Sequence, residues 1–565
     1  MAARRTALAS SRLFVPLAVA MLVLLPIATV LYLAASPSEG IWRHLLSTVL
    51  PRYVQNTLIL MIGVAFFSTV IGTSTAWLIA MYRFPLRKFL EWALFLPLAI
   101  PAYVGAYALV DFLEYAGPIQ TGLRSIFGWN LADEYFFPEI RSRGGAVFAL
   151  TAALYPYVYL IARAALKEQS GAMFEVSRAL GKGPYARFFL VGWPLIRPAA
   201  VAASAIVMME TVSDFGVVEY FAVQTLTTGI FSEWLDAYNI GGAAQLATLV
   251  LLIMFVLVAL EKFSRRKIEV FNSVRCTIPI RPVELKGRSA WIACTFCIFP
   301  FAAGFCLPGG VMLWHALRKP EHWFDPGLVR ALANTIFTGS IAAAATVTAA
   351  TVMVYGIRIA NYRPIAGIMP ATMLGYAVPG VVLAMGVMIP VAAFDHFVAD
   401  AILEAFGFDP GLLITGSGLA IIIAYFVRFF AIAQNSVDAA MGRVGPSLPA
   451  AARSLGRSAT GTLRAIYVPM MKGSLFTALA LVFVDCVKEL PATLLLRPFN
   501  FDTLATRVYE QASLENIGEA APPAILVALV GCLGVALIIR IDRQKGSISK
   551  SQSSQDPEKR YEATI

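Results

Sequence analysis

Charge is scarce in this chain. Of its 565 residues only 14% are Asp, Glu, Lys or Arg, against about a quarter in a typical soluble domain, so an ordinary water-soluble fold is excluded. Histidine occurs four times, as His44, His315, His322 and His396, without the close spacing of a dedicated zinc site. Cysteine occurs six times. Cys294, Cys297, Cys306, Cys486 and Cys532 lie in or beside apolar runs and Cys276 in a basic stretch. They read as small core residues rather than a disulfide framework, and the CxxC pair Cys294 and Cys297 has no second pair or nearby His for zinc. No phosphate loop exists, because the only Gly-Lys dipeptide, Gly181-Lys182, is followed by Gly183 rather than Ser or Thr. No set of nucleophile, base and metal ligands appears, which argues against a membrane enzyme.

What is abundant is apolar sequence, at 58% of residues. A bilayer core needs about 20 apolar residues as helix, and twelve runs qualify: 13–35, 56–81, 90–113, 145–166, 198–220, 243–261, 290–314, 331–357, 365–393, 412–434, 473–492 and 521–541. The expected class is an all-α integral membrane protein. The 45 Lys and Arg exceed the 34 Asp and Glu, but they are dispersed between the runs, which suits anionic membrane lipid rather than nucleic acid. An even number of spans puts both termini on one side. Assigning that side to the cytoplasm places most Lys and Arg inside, as the positive-inside rule requires. The first run follows Arg4, Arg5 and Arg12 and is longer than a signal-peptide core, so it reads as an uncleaved anchor.

The chain reads as two copies of one unit. Gly181, Pro194, Glu210 and Asp214 map by 275 onto Gly456, Pro469, Asp485 and Glu489; Pro101 maps by 278 onto Pro379. Each copy holds six spans, so the copies run parallel, related by a pseudo-two-fold axis along the membrane normal. The expected divisions are a first half at 1–261, a linker at 262–289, a second half at 290–541, and a disordered cytoplasmic tail at 542–565.

Between the fourth and fifth spans of each half lies a long basic loop, at 167–197 and 435–472. The first contains Glu175-Val-Ser-Arg-Ala-Leu-Gly181 and then Pro194; the second contains Ala450-Ala-Ala-Arg-Ser-Leu-Gly456 and then Pro469. Each reads as a short helix ended by a left-handed Gly, followed by a Pro that opens the next membrane helix. This resembles the EAA motif of importer permeases of the ATP-binding-cassette type, although Ala450 stands where that family has an acidic residue. The resemblance implies that the loop helices dock on two cytoplasmic ATPase subunits, which would bind the ATP, and that this chain binds no cofactor. An ion-gradient-driven transporter would not need paired docking loops.

Carboxylates inside membrane spans are costly and are candidates for function. Glu210 and Asp214 in the fifth run, and Asp485 and Glu489 in the eleventh, sit four apart and are expected to share a helix face. Lys488 accompanies the second pair. Structural pairing with Lys488 or with hydroxyls is the plain alternative. An anionic path repels oxyanions and favours a hard or multivalent cation, with no fixed metal site. The segments Thr211–Phe221, Thr225–Phe231 and Lys488–Tyr509 resemble the fused permeases of bacterial ferric-iron importers. That resemblance implies an inner-membrane permease for Fe(III) served by a periplasmic iron-binding protein; fused thiamine permeases, or importers of another cation, share the architecture.

Overall fold

The computed structural model describes residues 2–35, 41–169, 171–271, 280, 282–360, 367–445 and 447–554. Apart from a two-residue parallel pairing of Tyr82–Arg83 with Val283–Glu284, their regular structure is helical. Eleven helices are long and apolar enough to cross a bilayer: Val15–Ala35, Leu50–Met81, Arg143–Lys167, Pro184–Ser213, Ile240–Ser264, Arg288–Arg318, Pro326–Ile359, Gly380–Phe406, Leu419–Gly442, Ala459–Lys488 and Ile517–Leu537. A bent pair, Arg87–Ala99 with Ala102–Phe127, meets at 96° and makes a twelfth. The spans are numbered one to twelve in chain order, the bent pair being span three.

Long helices follow from the solvent, since lipid offers no partner to a free backbone N–H or C=O. The breaks have local causes. A residue before Pro is driven out of the helical region, and Ile100 before Pro101 has ψ 124° while Val378 before Pro379 has ψ 120°. Span three is interrupted at Pro101 and span nine starts just after Pro379, each with a short helical segment ahead of the Pro.

The expected limits of spans five and eleven need correction. Span five begins at Pro184 and ends at Ser213, not at 198 and 220; span eleven covers Ala459–Lys488, not 473–492. Pro194 and Pro469 therefore lie well inside their helices rather than opening them. Each follows a turn widened to i→i+5 bonding, Phe188–Gly192 and Leu463–Tyr467, which relieves the clash between a proline ring and the preceding turn.

Span one packs on spans six, eight and nine. Its Val23 and Val30 are fully buried in one cluster with Ala247, Ala342, Val381 and Val382. Span seven does the converse, with Cys294 and Cys297 buried among Ala76, Leu90, Tyr155 and Val535. The opening span of each set of six thus lies against the other set. Cys306, expected in the core, is exposed, and Cys276 lies outside the described residues.

Several interior contacts occur twice at the sequence offset. Tyr159 Oη donates to the Glu91 carbonyl (3.0 Å) and Gln434 Nε2 to that of Met369 (2.9 Å). Asn56 Nδ2 donates to the Gln224 carbonyl (2.7 Å) and Asn334 Nδ2 to that of Asp502 (2.9 Å).

At the chain end, one helix runs from Ile517 to Ser554, so 542–554 are helical and not disordered as expected. Span twelve supplies the costly nucleus, and Arg543, Gln544 and Lys545 propagate it readily. Residues 555–565 lie outside the described residues. In the linker, 262–271 continue the helix of span six, and 272–279 and 281 lie outside the described residues.

Span one approaches span nine closely at Gly386, where an added Cβ would lie 2.4 Å from the Pro26 carbonyl oxygen. Gly386→Ala is expected to destabilise the protein by about 1–3 kcal/mol through overpacking, lowering the thermal unfolding midpoint in detergent. Gly310→Ala, where the new methyl meets nothing within 4 Å, is expected to leave that midpoint unchanged or raised.

Candidate functional site

The break in span three, the ends of spans five and eleven and the segment ahead of span nine converge on a cavity of about 220 Å³. All four carboxylates singled out in the sequence, Glu210, Asp214, Asp485 and Glu489, line it, together with Tyr157, Tyr376, Arg428 and Lys488.

The four acids do not share one duty. Span five ends at Ser213, and Asp214 is the first residue beyond it, with ψ 136°. Its Oδ1 accepts from the backbone N–H groups of Val217 (2.9 Å) and Val218 (3.3 Å), opening the short helix Gly216–Tyr220. Glu489 stands in the same way after Lys488: its carboxylate accepts from the N–H groups of Ala492 and Thr493 (both 3.1 Å) and from Thr493 Oγ1 (3.0 Å), opening Pro491–Leu496. An acid at a helix start satisfies orphan amides and complements the dipole. The expectation that each pair lies on one helix face is corrected, because the helix stops between its members.

Glu210 and Asp485 carry no such backbone duty. Glu210 Oε1 accepts from Tyr376 Oη at 3.0 Å, a contact from one half to the other. Asp485 accepts no hydrogen bond from the described residues. The cations are both in the second half. Arg428 Nη1 lies 3.8 Å from Glu489 Oε1, and Lys488 Nζ donates to the Leu98 carbonyl at 2.8 Å across the halves. At the offset of 275 the first half has Ala153 and Ser213 instead. Sequence reasoning missed Arg428, whose signal was a lone basic residue inside the run 412–434, and the tyrosines, which apolar runs do not distinguish. Among the described residues no three His, Cys, Asp or Glu are placed to hold a metal ion together. His315 Nε2 instead meets Asp111 Oδ2 at 2.9 Å, and Glu114 pairs with Arg141 at 3.0 Å.

The loop residues form a second, separate place. The helices Gly171–Ala179 and Ser447–Ser454 end in the same way. Gly181 has φ +72° and Gly456 φ +80°. The N–H of Gly181 bonds to the Arg178 carbonyl and that of Lys182 to Ser177; Gly456 to Arg453 and Arg457 to Ala452 repeat this. This paired closure is the Schellman arrangement. Glu175 and Ala450 are exposed, as are the large apolar side chains of Met173, Val176, Leu180, Leu448 and Leu455. Apolar groups grouped on an exposed helix are a mark of a protein-docking face.

Residues 68–270 match the model of the family described as the binding-protein-dependent transport system inner membrane component, a segment that runs from the later part of span two through span six and includes the first loop. Beyond that segment, the chain is 28% identical to the Fe(3+)-transport system permease protein FbpB 2 of Haemophilus influenzae, over 90% of this chain and 94% of that one. It is 25% identical to the ferric transport system permease protein FbpB of Actinobacillus pleuropneumoniae over 91% of this chain and 74% of the relative. Similarity to the molybdenum transport system permease protein ModB of Escherichia coli, at 28% identity, covers 26% of this chain and 62% of that protein.

The two kinds of carboxylate are separable by stability. Glu489 is only 5% exposed, and Glu489→Ala, which strands two amides and Arg428, is expected to cost about 3–5 kcal/mol. Glu210→Gln is expected to stay within roughly 0.5–1 kcal/mol of the parent. Thermal unfolding of the two purified variants checks the order.

Proposed function

We propose that the chain is the permease of an ATP-driven, binding-protein-dependent importer of ferric iron in a bacterial inner membrane. The observation that carries the importer reading is the pair of exposed, identically closed loop helices. Each offers an apolar surface to a cytoplasmic ATPase subunit, and ATP is bound and hydrolysed there. Both termini then face the cytoplasm, the two halves relate by an axis along the membrane normal, and a periplasmic carrier delivers the ion to the opposite face.

Iron as cargo is supported by the ferric permeases that match along nearly the whole chain and by the oxygen chemistry of the cavity. A small trivalent ion is hard and favours carboxylate and hydroxyl oxygens. Glu210 and Asp485, one from each half, are the acids left free by the helix breaks, and Tyr376 adds a hydroxyl. Asp214 and Glu489 shape the path by holding the broken backbone. Arg428 and Lys488 offset the negative charge of the second half, so the uncompensated charge sits on the side of Glu210. The ion is held weakly, since a path that binds tightly does not release.

Two expectations test this reading in vesicles containing the chain, its ATPase and its carrier. Glu210→Gln lowers ferric uptake per inserted molecule more than Asp485→Asn, and the double variant abolishes it with the complex still assembled; normal uptake by the double variant, or carrier-dependent uptake of thiamine in place of iron, would sink the cargo assignment. Gly181→Val and Gly456→Val penalise a left-handed backbone by roughly 1–2 kcal/mol, with no steric clash since an added Cβ meets nothing within 4 Å at either. Both are expected to hydrolyse ATP without uptake, and full uptake by both would remove the loops from the mechanism.

A further inference from the structure

Away from the central cavity, a groove of about 640 Å³ runs between spans two, four and seven. Its walls are apolar, formed by side chains such as Phe67, Val147, Phe148 and Phe299. It extends along span four from Arg143 to Tyr155 and along span two from Ile59 to Ile71. Twelve residues of helix rise about 18 Å, close to the roughly 15 Å depth of one leaflet of a 30 Å core. The groove is as deep as one acyl chain is long.

At its Arg143 end the groove meets a polar pocket of about 590 Å³, lined by Arg52, Arg141, Arg143 and residues 221–224. Arg141 is already paired with Glu114 and Glu515. Arg52 reaches only the Gln224 side-chain oxygen at 3.4 Å, and among the described residues no carboxylate pairs with Arg52 or Arg143. Two uncompensated guanidinium groups therefore stand where an apolar slot opens to the membrane surface.

The corresponding places in the second half carry different side chains. The paired contacts of Asn56 with Asn334 and of Tyr159 with Gln434 fix the register there at 278 for span two and 275 for span four. Gly63 then corresponds to Ile341, Thr151 to Phe426, and Arg143 to Gly418. Bulk is gained at two of these positions and one of the two cations is lost, while Arg52 keeps a counterpart in Arg330.

We propose that this groove and pocket are a site for one anionic phospholipid, with an acyl chain between spans two, four and seven and the phosphate on Arg52 and Arg143. The site sits on the face that charge distribution assigns to the outside, and its existence does not depend on which cargo the permease carries. Charge complementarity selects the lipid class: each Lys or Arg near the surface contributes roughly a fivefold preference for anionic lipid, or about thirtyfold for two.

The test equilibrates the full-length purified chain with vesicles of phosphatidylcholine and phosphatidylglycerol, removes loosely held lipid by washing in detergent, and measures what remains by mass spectrometry. The parent protein is expected to retain phosphatidylglycerol over phosphatidylcholine by about thirtyfold. Arg52→Gln with Arg143→Gln, a surface change that leaves the bundle intact, removes the preference. Thr151→Phe, which installs the side chain of the second half, reduces retention of both lipids. Equal retention of the two lipids by the parent, or an unchanged preference in the arginine variant, overturns the proposal. Displacement of the retained lipid by inorganic phosphate would assign the pocket to a free anion instead. Loss of carrier-dependent uptake in the arginine variant with lipid retention intact would assign it to a protein contact.

Discussion

A backbone amide or carbonyl left open inside a membrane costs several kcal/mol, and the centre of this protein is arranged around four places where that cost arises. Span three breaks at Pro101, span nine starts behind Pro379, and spans five and eleven stop at Ser213 and Lys488. The freed groups find charged partners. Lys488 takes the Leu98 carbonyl, Arg428 reaches toward that of Val378 at 3.5 Å, and Asp214 and Glu489 take pairs of amides. The charges in the cavity are thus in large part the means by which an interrupted backbone is tolerated at this depth. Breaks need charges, and charges need a space that is not lipid.

That ordering of causes explains why acids of one chemical kind have two roles. Asp214 and Glu489 sit one residue beyond a helix end, where a carboxylate side chain reaches the next helix's amides. Glu210 and Asp485 sit a turn earlier, inside regular helix whose amides are already satisfied, and their oxygens remain open to the cavity or to a single hydroxyl. Position relative to the break decides the role. The two halves share the break geometry but differ in counter-charge, because only the second half has Arg428 and Lys488. The cavity in this way has two unlike walls.

Much of this was legible in the sequence. Apolar runs marked all twelve spans because in lipid length and composition alone determine a crossing, and the recurring offset located both loop glycines, whose left-handed backbone is present at Gly181 and Gly456. The four carboxylates were found because acids are rare in such runs. What the sequence did not disclose depends on tertiary support. Pro194 looked like a helix start, yet the widened turn at Phe188–Gly192 lets the helix pass through it. Glu210 and Asp214 looked like one face, yet no Gly or Pro announces the stop between them; the stop exists because Asp214 is more valuable as a cap than as a helical residue. Arg428 was hidden by the apolar run around it. The tail looked too polar to order, but a helix already nucleated within the membrane needs little encouragement to continue.

The exchange of opening spans has a consequence for biosynthesis. Span one ends at Ala35, whereas span eight, against which it packs, begins at Pro326. At about 5–20 residues per second, the ribosome needs on the order of 15–60 s to make the intervening chain. For that interval the first helix must persist in the bilayer without two of its final neighbours, held by lipid alone until span six arrives. Val15–Ala35 is one of the two most apolar spans in the chain, a composition suited to waiting. The other is Ile240–Ser264, the earliest of its partners to emerge, so the two helices most content in lipid are the pair that must find each other while the second half is still unmade.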